Sequence, residues 1–137
     1  MQDVSRRQFI TSTALLGAAS MLPTAAAAQT DCPSLPKLIH QVYFWLHNPD
    51  SVDDLNKLIE GLNSLRQIDS VRGLQIGLPA STEKREVVDN SYQVAETMLF
   101  DDAAGQDAYQ IHPLHKAFVE QYSHLWRKVV VYDSMAV

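Results

Sequence analysis

The sequence holds one cysteine, Cys32, among 137 residues. One cysteine cannot close an internal disulfide, and no second thiol makes a CxxC metal or redox pair. There is no HExxH, no GxSxG and no glycine-rich phosphate loop. Zinc peptidase, serine esterase and nucleotide-binding chemistry therefore lack their usual carriers. Basic residues are also scarce, 11 against 16 acidic ones. An acidic chain without a basic patch is a poor partner for nucleic acid or anionic lipid. No apolar run reaches the roughly 20 residues that a membrane span needs. The longest, from Phe9 to Leu22, is interrupted by threonine and serine.

That run has a different reading. Arg6-Arg7 precede it and the small residues Ala25 to Ala28 follow it, as in a charged leader with an A-x-A cleavage site. SRRQFI fits the twin-arginine export pattern. The expectation is a signal peptide over residues 1–28, a proline-punctuated linker over 29–36 and one domain over 37–137, placed in the periplasm. Loss of Arg6, Arg7 and Asp3 with the leader leaves nine basic against fifteen acidic residues, a net charge of −6. QTDC lacks the small residues of a lipoprotein site, so Cys32 is read as a free thiol on the lead-in, with no membrane contact after cleavage. Nothing names a cofactor or a metal. Because twin-arginine export moves folded proteins, often with cofactors aboard, a co-exported, cofactor-bearing partner that carries the protein along is kept open as a partner.

The domain reads β-α-β-β-α-β. LIHQVYFWLH (38–47) is apolar on both strand faces and is expected to be buried on both. Ser51 opens a helix with Asp54 at capping-box spacing. Leu55, Leu58, Ile59, Leu62 and Leu65 make its apolar stripe, and it is expected to end near Ile68. Residues 71–79 and 91–100 read as strands, with the polar stretch between them a hairpin arm or loop. Asp101 and Asp102 start a second helix, which Pro113 interrupts and restarts to about Trp126. KVVVYDS (128–134) closes as a strand. This order predicts an α+β, ferredoxin-like fold: a four-stranded antiparallel sheet with both helices on one face.

Helices on one side leave the other side of the sheet bare. Tyr43, Trp45 and one parity of Val129–Tyr132 are expected there. Such a patch is large for a monomer. The expectation is a homodimer that packs two sheets into a dimeric α/β barrel, rather than a monomer whose sheet an additional C-terminal segment covers.

Of the five histidines, His115 stands out. With Pro113 at the first helical position, His115 is third, beside Phe118 on the buried stripe. Burial and the positive end of the helix dipole both disfavour imidazolium, which leaves a neutral general base. His112 falls at the N-cap, a structural place, and His124 falls on the solvent side. Tyr109, a turn before Pro113, can aim its hydroxyl at the space of His115. His40 lies mid-strand among apolar residues. Its two readings are a hydrogen-bonded core histidine and a member of the site. If Glu96 points inward with Val94 and Met98, it is a carboxylate in an apolar pocket that needs His40 or His115 as partner. A metal site built on His112 and His115 is disfavoured, because the proline between them spoils a shared face.

His40 in LIHQVYFWL, the Y-x-x-H-P-x-H run at Tyr109, His112, Pro113 and His115, and the closing WRKVVVYD together resemble the stress-responsive dimeric α/β-barrel (Dabb) family. The likeness spans roughly residues 37–134. It implies a ferredoxin-like domain that pairs into a barrel. In a plant polyketide cyclase of the family, a tyrosine and the second motif histidine do aldol chemistry, with a first-strand histidine in the pocket. These match Tyr109, His115 and His40. That enzyme's strand histidine and helix tyrosine fall on Val94 and Gly61 here, and Glu96 stands where it is apolar, so a different substrate is implied. The expected site is therefore His115, Tyr109 and His40, with Val42, Phe44, Val94, Glu96 and Phe118 as walls. Two functions follow from it. One is a binding protein for a small apolar ligand. The other is an enzyme, cyclase- or lyase-type, with His115 as base on a small carbonyl compound.

Overall fold

The computed structural model describes residues 32–137. The leader expected over 1–28 and the start of the linker lie outside the described residues. Cys32 is exposed as a free thiol.

Strand β1 (Leu38–Leu46) is followed by helix α1 (Val52–Ser64), strand β2 (Gly73–Gly77) and strand β3 (Val94–Phe100). Helices α2 (Ala103–Ile111) and α3 (Pro113–Tyr122) then lead to strand β4 (Trp126–Met135). The strands lie in the order β2-β3-β1-β4, every neighbouring pair antiparallel. This is the ferredoxin-like α+β arrangement that the pattern predicts.

Local chemistry sets the helix boundaries. Ser51 Oγ accepts from Asp54 N–H at 3.2 Å and starts α1. Leu58, Leu62 and Leu65 are fully buried on its stripe, and a 3-10 turn over Leu65–Gln67 delivers Ile68 to the core. Asp102 Oδ1 caps α2 by accepting from Gly105 N–H at 2.9 Å. Pro113 occupies the first turn of α3, and His112 Nδ1 caps it by accepting from Leu114 N–H at 3.1 Å. His112 thus does the structural job expected of it.

Three boundaries differ from the pattern. Strand β2 is shorter than the expected 71–79, and of the two forms expected after it residues 78–93 take the loop. Strand β3 begins at Val94 and not at Ser91, because the chain before it is held in turns: Ser91 N–H donates to Asp89 Oδ1, and Gln93 Oε1 accepts from Leu46 N–H. Trp126 starts β4 and does not end α3. A 3-10 turn over Ser123–Leu125 closes the helix, and His47 N–H takes the Leu125 carbonyl at 2.9 Å, drawing the chain into the sheet.

One face of the sheet carries the core. Cross-strand register sets three rows there: Met98–His40–Asp133, Glu96–Val42–Val131 and Val94–Phe44–Val129. Helix α1 packs on β2 and β3, and α2 also reaches β3. Edge strand β4 is left largely open, so Val129 and Val131 remain 43% and 46% exposed on the helix side. On the opposite face Ile39, Tyr43 and Val130 are half-buried and Tyr132 is exposed. Trp45 corrects the expectation for that face. It is buried by its own chain: its Nε1 donates to Ser91 Oγ at 3.0 Å, Tyr92 packs edge-on, and Lys128 Nζ lies 4.3 Å from the ring centre.

Candidate functional site

The open half of the helix side forms a cavity of about 580 Å³. Its floor is the β1–β4 half of the sheet: His40, Val42 and Phe44 from β1, and Val129, Val131 and Asp133 from β4. Glu96 reaches in from β3. Tyr109 of α2 and His115, Phe118 and Val119 of α3 form the roof, with Trp126 at one side. Seven of the eight residues expected at the site therefore share one space. The eighth, Val94, does not line it. Val94 is fully buried, because α1 fills the space over the β2–β3 half of the sheet. A related exchange occurs at Gly61: a Cβ there would meet the Tyr122 ring at 2.7 Å, so Tyr122 occupies the room that a larger α1 residue would need.

The α2–α3 junction places His115. Its Nδ1 lies 3.1 Å from the Gln110 carbonyl oxygen. A carbonyl only accepts, so Nδ1 carries the proton and Nε2 keeps its lone pair. Burial pushes the His115 pKa below its usual value; the Gln110 bond opposes this, and nearby His40 adds to it. The result is a neutral ring with a free basic nitrogen. The Tyr109 ring packs against it at 4.5 Å between centroids. Burial, and then the charge that Glu96 would carry, raise the Tyr109 pKa, so its phenol remains a proton donor.

His40 is buried, and its Nδ1 donates to Asp133 Oδ1 at 2.5 Å. Sequence reasoning did not single out Asp133. It lies 93 residues from His40 and meets it only through the β1–β4 register. Its one signal is that it shares strand parity with Val129 and Val131. The two readings of His40 thus merge: it is a hydrogen-bonded residue of the sheet floor, and it lines the cavity. Its ring also packs edge-on to Tyr109 at 5.9 Å.

Glu96 does point inward, but neither expected partner takes it. His40 is held by Asp133 and His115 by Gln110. Glu96 is 2% exposed, and its Oε1 has no hydrogen-bond partner among the described residues. An unmet buried polar atom costs about 1–3 kcal/mol, and an ion there costs more. Burial accordingly pushes the Glu96 pKa up to about 8, so the side chain is a neutral carboxylic acid at pH 7. Among the described residues no group of three or more His, Cys, Asp or Glu is arranged to hold a metal ion.

This geometry can be set beside known proteins. The profile of the stress responsive A/B barrel domain, Dabb, matches residues 38–136. The chain belongs to the Dabb family. Solved structures agree on the fold. A Dabb-family protein with a ferredoxin-like fold from Mesorhizobium loti is 22% identical, covering 73% of this chain and 96% of that one, with a TM-score of 0.60. A dimeric ferredoxin-like protein of unknown function from Thermobifida fusca is 20% identical over 72% and 89%, with a TM-score of 0.58. A hydroxynitrile lyase from Passiflora edulis is 16% identical over 76% and 96%, with a TM-score of 0.63. A search of the curated proteins finds no significant match. In this Dabb domain the Y-x-x-H-P-x-H run divides its labour: Tyr109 and His115 face the cavity, while His112 and Pro113 build the helix start.

Proposed function

We propose that this Dabb-family protein binds a small, largely apolar carbonyl compound in the cavity under α2 and α3. The observation that carries this reading is one pocket with apolar walls and a few convergent polar groups, Tyr109, His115, His40 and Glu96. Its volume of about 580 Å³ suits a ligand of that kind, since small-molecule pockets run from about 300 to 1,000 Å³. A second reading is catalysis, and the free Nε2 of His115 favours it. That nitrogen would take a proton from the carbon next to the carbonyl, while the Tyr109 hydroxyl donates to the developing enolate oxygen. Similarity in fold to a hydroxynitrile lyase is compatible with this reading and does not decide it.

Screening carbonyl compounds against the purified protein by NMR chemical-shift perturbation tests both. Shifts around the cavity that survive His115→Gln, without turnover in either form, support the binding reading alone. Turnover that His115→Gln abolishes supports catalysis. An absence of shifts for every compound would sink both.

The outer sheet face supports a homodimer, in keeping with the solved neighbours described as dimeric. Ile39, Tyr43, Val130 and Tyr132 would pack against their copies. We also place the protein in the periplasm, on the twin-arginine leader read in the sequence. Arg6→Lys with Arg7→Lys should then leave it in the cytoplasm; export of that variant at the wild-type level would contradict the placement.

A further inference from the structure

The polar lining of the cavity is one-sided. Among the described residues no lysine or arginine lines it, whereas two carboxyls do, Glu96 and Asp133. Asp133 is engaged with His40 Nδ1. Among the described residues Glu96 has no such bond, its Oε1 sealed from water and without a partner. It sits on an inner strand of the sheet beside apolar neighbours, Val42 on β1 and Ile76 on β2. The titratable groups that share its space are Tyr109 from α2, His115 from α3, His40 from β1 and Asp133 from β4. On α1, Asp53, Lys57 and Glu60 are exposed, and Asp54 is bonded to Asn48.

We propose that Glu96 sets the ligand specificity of the cavity: its neutral carboxyl donates a hydrogen bond to the oxygen of an uncharged carbonyl ligand, and the pocket rejects carboxylates. The inference deepens the binding reading above and rests on it. Three features converge on it. A carbonyl oxygen needs a donor, and a protonated carboxyl supplies one where the His115 Nε2 offers only a lone pair. A ligand anion would find no lysine or arginine among the described lining residues to pair with and would lie beside Asp133. A site built to hydrogen-bond one group discriminates strongly against analogues that cannot complete the bond. Burial supports the protonated state, holding the pKa near 8.

Three probes of one shape test it on the full-length protein by calorimetry: 2-acetylnaphthalene, 2-naphthoate and 2-naphthylmethylamine. The ketone should bind at least about tenfold tighter than the carboxylate. Its affinity should fall about tenfold between about pH 6.5 and about pH 9.5, as Glu96 loses its proton. Glu96→Gln, which still donates, should keep ketone binding and lose that fall. Glu96→Leu, which cannot donate, should weaken the ketone about tenfold at the lower pH. Contributions from His40, His115, Tyr109 and Asp133 are common to wild type and Glu96→Gln, so the comparison isolates Glu96. Unchanged ketone binding in a folded Glu96→Leu protein overturns the assignment to Glu96 and leaves the cavity reading standing. Equal affinity for the carboxylate, or tightest binding of the amine, overturns it too. No binding of any probe overturns the cavity reading and this inference together.

Discussion

Replacing Glu96 by glutamine should change how the stability of the fold depends on pH. The folded protein holds the Glu96 proton up to about pH 8, whereas the unfolded chain releases it near the ordinary value of 4.5. Between those values the folded state binds more protons than the unfolded one. Stability therefore falls as pH rises across that window and is level above it. At about 1.4 kcal/mol per pH unit the full fall is about 5 kcal/mol, of which about 3 kcal/mol has been lost by pH 7. That is a large share of the 5–15 kcal/mol typical of a domain. Glutamine keeps the shape and does not titrate, so its stability curve lacks this fall. His115 works in the opposite sense: its lowered pKa makes the fold gain stability as pH rises toward its ordinary value of 6.5. That term is common to both proteins and cancels in their difference. The assay is urea denaturation of wild type and Glu96→Gln at pH values from about 4.5 to about 9, at one protein concentration, since a dimer makes the midpoint concentration-dependent. The difference in unfolding free energy should grow in favour of glutamine by several kcal/mol and flatten above about pH 8. Parallel curves across the range would show that Glu96 is ionised and solvated in the folded protein, and the account of the cavity's polarity would fail.

Three further outcomes follow from the packing. His112→Ala removes the α3 cap and should cost about 1 kcal/mol in urea denaturation, while leaving ligand shifts at His115 in place. Gly61→Ala drives a methyl group into the Tyr122 ring and should cost about 1–3 kcal/mol, with Tyr122→Leu in the same chain recovering most of it in the same assay. Tyr132→Glu places a charge on the outer sheet face, where Tyr132 is exposed in a single chain. In sedimentation it should convert a dimer to a folded monomer; an unchanged dimer would mean that the chains meet elsewhere.

The Y-x-x-H-P-x-H motif was legible because its parts are close in the chain. Pro113 as a helix restart, His112 as the cap and His115 facing inward on the third helical residue all follow from contacts within a few residues. The charge partner of His40 was not legible, since any of several acidic residues could meet a mid-strand histidine until register is known. Glu96 was found as a candidate, yet its lack of a partner was not: both histidines proposed for it were already taken, His40 by Asp133 from the far end of the chain and His115 by the nearby Gln110 carbonyl. Val94 was assigned to the pocket by likeness of sequence, and only the position of α1 seals it off.

The division follows the range of the interactions. Element order, helix caps, the apolar stripe of α1 and the break at Pro113 rest on periodicity and on hydrogen bonds spanning two to four residues, so the sequence by itself determined them. Which parity of β3 and β4 faces the helices and which half of the sheet stays open depend on strand register and helix placement. Those are settled by packing between residues far apart in the chain. Only the tertiary structure decided that His40 and Asp133 meet and that the Glu96 Oε1 is buried without a hydrogen-bond partner among the described residues.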